Sequence, residues 1–256
     1  MQELKKKLNL YGLTMIAVGG CIGAGIFTAP GQVAEGVDSQ AFVLMIWLLG
    51  GLIAMAGALT FAELGALFPK EGGVYVFLKE AYGDMVGFLY GWAILLIITS
   101  GALAFLAELL AEYLVAFDFF ARLGKELIAV SVIVLLTVLN IFGVSIIQVF
   151  ANLFTGLKLL AILAIVVLGI WFAGAEELPA FSFSFEQAPA DPWQFIFVGL
   201  IGVYFSIGGW HHTTYLSGET INASRTVPRA MVLGVLIVTV MYLLINYVYM
   251  LLLQLG

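Results

Sequence analysis

The sequence predicts an all-α fold, a polytopic bundle of transmembrane helices, from three observations. Of the 256 residues, 63% are hydrophobic and 10% charged, against roughly 45 to 50% and 25% in soluble domains. Apolar runs longer than ~18 residues recur end to end, each long enough to cross a bilayer as a helix. The breaks between them are short, and no low-complexity tract divides the chain, so one transmembrane domain over 1–256 is expected.

The apolar runs place spans at 10–33, 41–68, 85–117, 127–147, 149–173, 193–216 and 230–253, seven in all. Basic residues then alternate between the connecting segments. Lys5, Lys6 and Lys7 precede the first span, Lys70 and Lys79 follow the second, and Arg225 and Arg229 follow the sixth. The opposite face receives only Arg122 and Lys125 among acids that include Glu35, Asp38, Asp118, Glu126, Glu176, Glu177, Glu186 and Asp191. Cytoplasmic loops hold the excess of Lys and Arg, so the N-terminus is expected in the cytoplasm of a cell-membrane protein. The stretch 174–192, with Pro179, Pro189, Pro192 and four acids, reads as an external loop.

Several classes fall away on composition. The net charge is −6 and no basic stripe extends beyond the three N-terminal lysines, which sets nucleic acid aside. The single cysteine, Cys21, excludes an intrachain disulfide, and the two adjacent histidines, His211 and His212, offer no metal-ligand spacing. No cofactor is expected. No nucleophile and base pair can be placed together in the polar loops, and no phosphate-binding loop is present, which disfavours an enzyme or primary pump. The basic start ending in Val18-Gly19-Gly20-Cys21 imitates a lipoprotein signal, but the apolar run continues through Phe27 with no soluble domain behind it. Seven-helix receptors and retinal proteins place the N-terminus outside, and the seventh span holds no lysine for a Schiff base. A channel would show a continuous polar stripe along one helix, which is not seen.

Polar and glycine positions cluster instead at two points. The first span carries Gly19, Gly20, Gly23 and Gly25, and each glycine costs a helix about 1 kcal/mol relative to alanine. One reading is close packing of the small-xxx-small type through Gly19 and Gly23; the other is an unwound segment. The sixth span has a second cluster, Phe205-Ser206-Ile207-Gly208-Gly209-Trp210-His211-His212. Asn9 to Gly23 is 14 residues and Trp193 to Ser206 is 13, which puts each interruption about 20 Å into its span. Entered from opposite faces, both fall near the midplane of a bilayer ~40 Å thick. Freed backbone groups at that depth must face protein or a cavity. The half-helix opening at Gly25, Ile26 and Phe27 offers N–H groups and a positive dipole end to a carboxylate. The half-helix closing at Tyr204, Phe205 and Ser206 offers carbonyls to an ammonium. The expected substrate contacts are therefore Ile22, Gly23, Ala24, Gly25 and Ile26 on one side, and Phe205, Ser206, Ile207, Gly208 and Gly209 on the other. Phe205 and Trp210 are the candidate gate.

Three segments carry a resemblance: Gly-Ala-Gly-Ile-Phe-Thr-Ala-Pro at 23–30, Phe-Ala-Glu-Leu-Gly-Ala-Leu-Phe-Pro-Lys-Glu-Gly-Gly-Val-Tyr at 61–75, and Phe-Ser-Ile-Gly-Gly-Trp at 205–210 followed by Gly218-Glu219-Thr220 and Val227-Pro228-Arg229-Ala230. Together they resemble the amino acid/polyamine/organocation transporters, in order over essentially the whole chain. The resemblance implies the LeuT-like fold of two inverted five-helix repeats, with the substrate carboxylate on the first broken helix and its amine on the sixth. Relatives of that kind typically have ten to twelve or more spans, so this chain would hold the first repeat and the start of the second, as if truncated after the seventh helix.

Lys158 lies about nine residues into the fifth span, roughly 12 to 14 Å deep at 1.5 Å per residue. Snorkelling to the interface is one account of it. The resemblance implies another: in members that do not use sodium, a lysine on the fifth helix takes the place of the ion and hydrogen-bonds the unwound first helix, which makes Lys158 the candidate coupling group. Glu63 and Glu219 are expected to pair with Lys70, Arg225 or Arg229. Glu108 and Glu112 lie toward the outer end of the third span. No acidic residue falls inside either interruption, which favours neutral amino acids as substrate. The expectation is an amino acid permease, a secondary transporter in the lipid bilayer working by sodium-independent proton symport or exchange. The alternative is a non-transporting structural or regulatory subunit, or an inactive fragment.

Overall fold

The computed structural model describes residues 6–35, 39–141, 144–175 and 191–253, and all regular structure among them is helical apart from one isolated β-bridge. Lys5, Asp38 and most of the acidic stretch read as an external loop, with Glu176, Glu177 and Glu186, lie outside the described residues.

In chain order the helices are α1 Leu10–Cys21, α2 Gly25–Ala34, α3 Gln40–Leu67, α4 Val74–Tyr82, α5 Asp84–Ala93, a π-helical segment Ile94–Thr99, α6 Ser100–Leu114, α7 Asp118–Ala121, α8 Lys125–Ile141, α9 Val144–Ala175, α10 Pro192–Ile207, a 3-10 helix Trp210–Glu219 and α11 Ala223–Leu253. Local chemistry sets several of the starts. A helix leaves its first four N–H groups without intrahelical partners, and side-chain oxygens at the preceding position take one of them. Asn9 Oδ1 accepts from Gly12 N–H at 2.9 Å, Ser39 Oγ from Phe42 N–H at 3.3 Å, and Asp191 Oδ1 from Gln194 N–H at 3.1 Å. Pro192 in the first turn of α10 suits a position whose N–H has no helical partner in any case.

Among the described residues, five helices are long and apolar enough to cross a bilayer, and six if α1 and α2, bent by 47° at the intervening break, count as one span. The fourth expected span, 127–147, corresponds to α8, a helix of 17 residues. The fifth is longer than its apolar run, 32 residues as α9. The seventh begins earlier than expected, because α11 starts at Ala223 and carries Arg225, Pro228 and Arg229 in its first two turns. Asn222, at φ 50°, supplies the turn before it, and its carbonyl takes the N–H groups of Arg225 and Thr226.

The chain forms two compact units. The first comprises the residues up to Gly73 together with those from Asn152 onward, and it contains both interrupted spans. In it α11 runs along α3 and α1, and α10 packs on α2 and α3. Trp47 of α3 and Tyr242 of α11 meet edge to face at 5.7 Å in the core, with Leu13, Ile22, Ile26 and Ile46 fully buried around them. Small residues let the backbones approach, as at Gly51 of α3, which sits against Thr239 of α11.

The second unit runs from Val74 to Ala151. In it α4 packs on α5 and α6 on α8. Lys79 is paired with Asp84 at 2.9 Å, and Lys125, at the start of α8, reaches Glu108 at 3.2 Å and Glu112 at 3.3 Å on α6. These carboxylates hold both lysines above their ordinary pKa, chiefly through the hydrogen bonds to Asp84 and to Glu108.

Candidate functional site

The first interruption is a three-residue gap between α1 and α2. Ile22 N–H still bonds back to Val18 O at 2.9 Å, so the helix ends at that residue, and Gly23 N–H folds onto Cys21 O at 2.9 Å. Gly23 is exposed, with open space where a side chain would stand. The α2 helix then begins at Gly25, and its first-turn N–H groups have no carbonyl behind them in the same helix. The small-xxx-small reading holds for half of the glycine pair: Gly19 packs against Thr155 of α9, while Gly23 packs on nothing.

The second interruption separates α10 from the 3-10 helix. Gly208 N–H closes the last turn on Tyr204 O at 3.0 Å, and Gly209 then takes φ 108°, a left-handed conformation that side chains other than hydrogen rarely adopt. His212 N–H bonds to Gly209 O at 3.1 Å and continues the chain as a 3-10 helix.

The two interruptions touch. A Cβ on Gly25 would lie 2.7 Å from Ser206 Oγ and 2.9 Å from Ser206 Cα, and one on Gly20 would lie 3.1 Å from Gly209 O. Substitution at either glycine therefore drives side-chain atoms into backbone of the other span. Ile26, Ser206, Ile207 and Gly209 are buried at this contact, whereas Ala24 and Gly208 are partly accessible.

Two side chains from other helices are fixed on the interruptions. Lys158 of α9, half-buried, donates from Nζ to Ile22 O at 2.7 Å. Tyr242 of α11, fully buried, directs its hydroxyl at two carbonyls, Cys21 O at 3.1 Å and Ser206 O at 3.0 Å. One hydroxyl proton thus spans the ends of α1 and α10. Of the three carbonyls expected to face an ammonium, Tyr204 O and Ser206 O already accept one bond each, and a carbonyl with two lone pairs retains capacity for another.

The aromatic side chains near this contact differ in exposure. Phe205 is 61% exposed, while Trp210 is buried, edge to face on Phe61 at 5.4 Å. His211 packs among Phe61, Trp210, His212 and Tyr215, and its ring centroid is 4.5 Å from that of His212. Among the described residues no group of three or more His, Cys, Asp or Glu side chains is placed to hold a metal ion.

The sequence reading missed Tyr242 and Thr155. Neither is charged, and one tyrosine among ten in an aromatic-rich chain carries no periodic or compositional signal. The expected ion pairs of Glu63 and Glu219 with Lys70, Arg225 or Arg229 are not formed among the described residues. Glu219 acts through its backbone instead, its carbonyl accepting from Lys7 and Leu8 N–H at 2.9 and 3.0 Å. Glu108 and Glu112, toward the outer end of the third span, are solvent-exposed and paired with Lys125.

A polytopic helical membrane protein with two interrupted spans in contact is the class this structure defines. Comparison with known proteins supplies the family: the family model described as "Amino acid permease" matches residues 8–256, and the chain belongs to that family. It is similar to the serine/threonine exchanger SteT of Bacillus subtilis (strain 168), 34% identical over 248 residues that cover 95% of this chain and 54% of the relative. The b(0,+)-type amino acid transporter 1 of Mus musculus is 32% identical over 256 residues, 96% of this chain and 51% of the relative. The Asc-type amino acid transporter 1 of Homo sapiens is 32% identical over 254 residues, 96% of this chain and 48% of the relative. The chain thus spans about half the length of the curated relatives it matches. These relatives are transporters, not enzymes.

Proposed function

We propose that the whole protein is a secondary active transporter of small neutral L-amino acids, sodium-independent, working by exchange or proton symport. The observation that carries this is the contact of two interrupted spans with Lys158 Nζ bonded to Ile22 O. An opened helix start at Gly25 presents N–H groups suited to a carboxylate, and a helix end at Tyr204 to Ser206 presents carbonyls suited to an ammonium. These two ends adjoin within one unit, as binding both ends of an amino acid requires. The substrate contacts are assigned to Ile22, Gly23, Ala24, Gly25, Ile26, Phe205, Ser206, Ile207, Gly208 and Gly209, and the gate to Phe205 and Trp210. Gly209 acts through its left-handed turn, which permits the close approach to Gly20.

No carboxylate lies within either interruption. A second positive charge on the substrate would therefore go unpaired there, which supports neutral substrates. A serine/threonine exchanger among the relatives supports both a small substrate and exchange. Lys158 supplies a positive charge at the first interruption without a metal ion, the basis for sodium independence. The LeuT-like inverted-repeat arrangement, a single transmembrane domain of about seven spans in this chain, and a cytoplasmic N-terminus in the cell membrane complete the proposal; the basic residues that share the N-terminal face support the orientation.

Uptake of labelled L-alanine and L-serine into proteoliposomes holding the full-length protein tests the site. Gly25→Val is expected to abolish uptake, because its branched Cβ meets Ser206; normal uptake by that variant would overturn the site assignment.

A further inference from the structure

We propose that α11 carries a binding site for one anionic phospholipid, in the leaflet on the N-terminal side of the first span. Arg225, Arg229, Lys6 and Lys7 surround the headgroup phosphate, and an apolar stripe of α11 lies along the acyl chain. The site depends on the chain's place in a bilayer and not on transport.

These cations come from two segments far apart in the sequence. Lys7 and Leu8 donate their N–H groups to Glu219 O at 2.9 and 3.0 Å, and Ile221 N–H donates to Leu8 O at 2.9 Å, which makes Leu8 and Thr220 a parallel β-bridge. Arg225 N–H bonds in turn to Asn222 O at 2.9 Å, where α11 begins. A run of backbone bonds thus sets Lys6 and Lys7 beside the turn that opens α11. All four basic residues are exposed.

Their charge is not neutralised from within the protein. Arg225 and Arg229 stand one turn apart on one face of α11, a spacing at which like charges repel. Glu63, Glu71 and Glu219 are the acids at this end of the first unit, and among the described residues none forms an ion pair with these four cations or with Lys70. Glu71 rests against Gly218 instead, where a Cβ would meet its side chain. An anion from outside the protein offsets the repulsion, and the planar fork of arginine takes a phosphate through two parallel hydrogen bonds.

The surface of α11 beyond the arginines identifies the source of that phosphate. Arg225, Arg229, Leu233, Leu236, Val240 and Leu244 follow one another at intervals of three or four residues, so they form one stripe along the helix. All six are exposed, while Met231, Val238, Tyr242 and Ile245 on the other side are fully buried in the core. From Leu233 to Leu244 the stripe rises about 16 Å at 1.5 Å per residue, close to half of the ~30 Å hydrocarbon thickness of a bilayer. A charged mouth leading into an apolar track one leaflet deep matches the headgroup and chain of a phospholipid, whereas a soluble phosphate would use the mouth alone. Tyr11, exposed one turn beyond Lys7, is an amphipathic ring of the kind that sits at headgroup depth. Zwitterionic lipids fit less well, because choline or ethanolamine brings a cation of its own into a cluster already in positive excess.

Native mass spectrometry of the full-length protein, titrated in detergent with palmitoyl-oleoyl phosphatidylglycerol or the matching phosphatidylcholine, tests the site. The expected result is that phosphatidylglycerol is held about tenfold more tightly. Arg225→Gln combined with Arg229→Gln should remove that preference and leave retention of phosphatidylcholine unchanged, which also shows that the variant is folded. Lys6→Gln combined with Lys7→Gln, in a segment that precedes the first helix, should lower the preference about fivefold, and it decides the matter if the arginine variant does not fold. Equal retention of the two lipids would overturn the proposal. A preference that survives the arginine substitutions would overturn it too, as it would if the rest of the full-length chain covers this face of α11. An equal loss in Lys125→Gln, a cation of the other unit, would reduce the effect to bulk charge. Displacement of the lipid by equimolar glycerol 3-phosphate would mean that the cations take a free phosphate without the chain, and would also overturn the proposal. No uptake is measured, so these outcomes stand whatever the protein transports.

Discussion

Tyr242 and Lys158 hold successive carbonyls at the first interruption, Cys21 O and Ile22 O, and they differ in what they leave behind when removed. Tyr242→Phe keeps the ring against Trp47 and deletes only the hydroxyl, so Cys21 O and Ser206 O lose their shared donor. A single hydrogen bond is worth about 1 kcal/mol net. Substrate affinity of the full-length protein, measured by scintillation proximity or thermal shift, is therefore expected to fall roughly fivefold with the fold retained. An unchanged affinity would mean that the hydroxyl does not set the spacing of the interruptions. Lys158→Ala removes a charge as well as a bond. If the lysine loads a proton, accumulation driven by a pH gradient disappears while substrate binding persists, because the carboxylate and amine contacts lie on other helices. If it stays charged and props Ile22, affinity and exchange rate change at every pH. Wild-type uptake by Lys158→Ala in sodium-free buffer across about pH 5 to 8 would leave snorkelling as the better account, although the bond to Ile22 O already directs the ammonium at protein.

Among the elements, the α6–α8 pair shows how an ion pair becomes a condition on pH. Lys125 reaches both Glu108 and Glu112, and its pKa is raised by these bonds. A group whose folded pKa is raised contributes stability that is fully present below its unfolded value, ~10.4 for lysine, and is lost as pH climbs through the folded value. The contribution of Lys125 is thus expected to be constant through neutral pH and to fade only in strong alkali. Because the triad is solvent-exposed, screening keeps it weak. Thermal denaturation of Lys125→Gln against the unsubstituted protein should give parallel curves from about pH 6 to 9 that converge above about pH 10.5; divergence that grows with pH would contradict the assignment. The π-helical segment Ile94–Thr99 is the other irregular element of this unit, and the Ser100 hydroxyl, bonded to Leu95 O at 2.7 Å, occupies a carbonyl there.

For the molecule as a whole, charge placement predicts which connections share a face of the membrane. Single cysteines at Lys6, Lys79 and Glu219 are expected to react with an impermeant maleimide from one side, and a cysteine at Asp118 from the other. Labelling of positions 6 and 118 from the same side would overturn the topology, and with it the expectation that the two interruptions are entered from opposite faces. The backbone bridge between Leu8 and Thr220 independently sets the segment before the first span beside the end of the sixth, as that topology requires.

The sequence by itself determined the solvent, the class and the position of both interruptions, because those rest on local physics. Lipid demands unbroken apolar helices, and glycines at 23, 25, 208 and 209 stand out against them. It also marked Lys158, since a lone charge in a span is rare on any account. Span ends were less legible: α11 begins at Ala223 through a turn at Asn222 and tolerates Pro228, which the apolar run alone did not announce. Tertiary structure decided which glycines pack and which open, with Gly19 against Thr155 and Gly23 against nothing. It decided that Tyr242 joins two carbonyls 185 positions apart in the chain, Cys21 and Ser206. It also decided that Glu219 serves through its carbonyl instead of its charge. A hydrogen bond between distant backbone groups leaves no trace in composition or periodicity, because its partners are the same in every residue, and only the packing of α1, α10 and α11 brings them within reach.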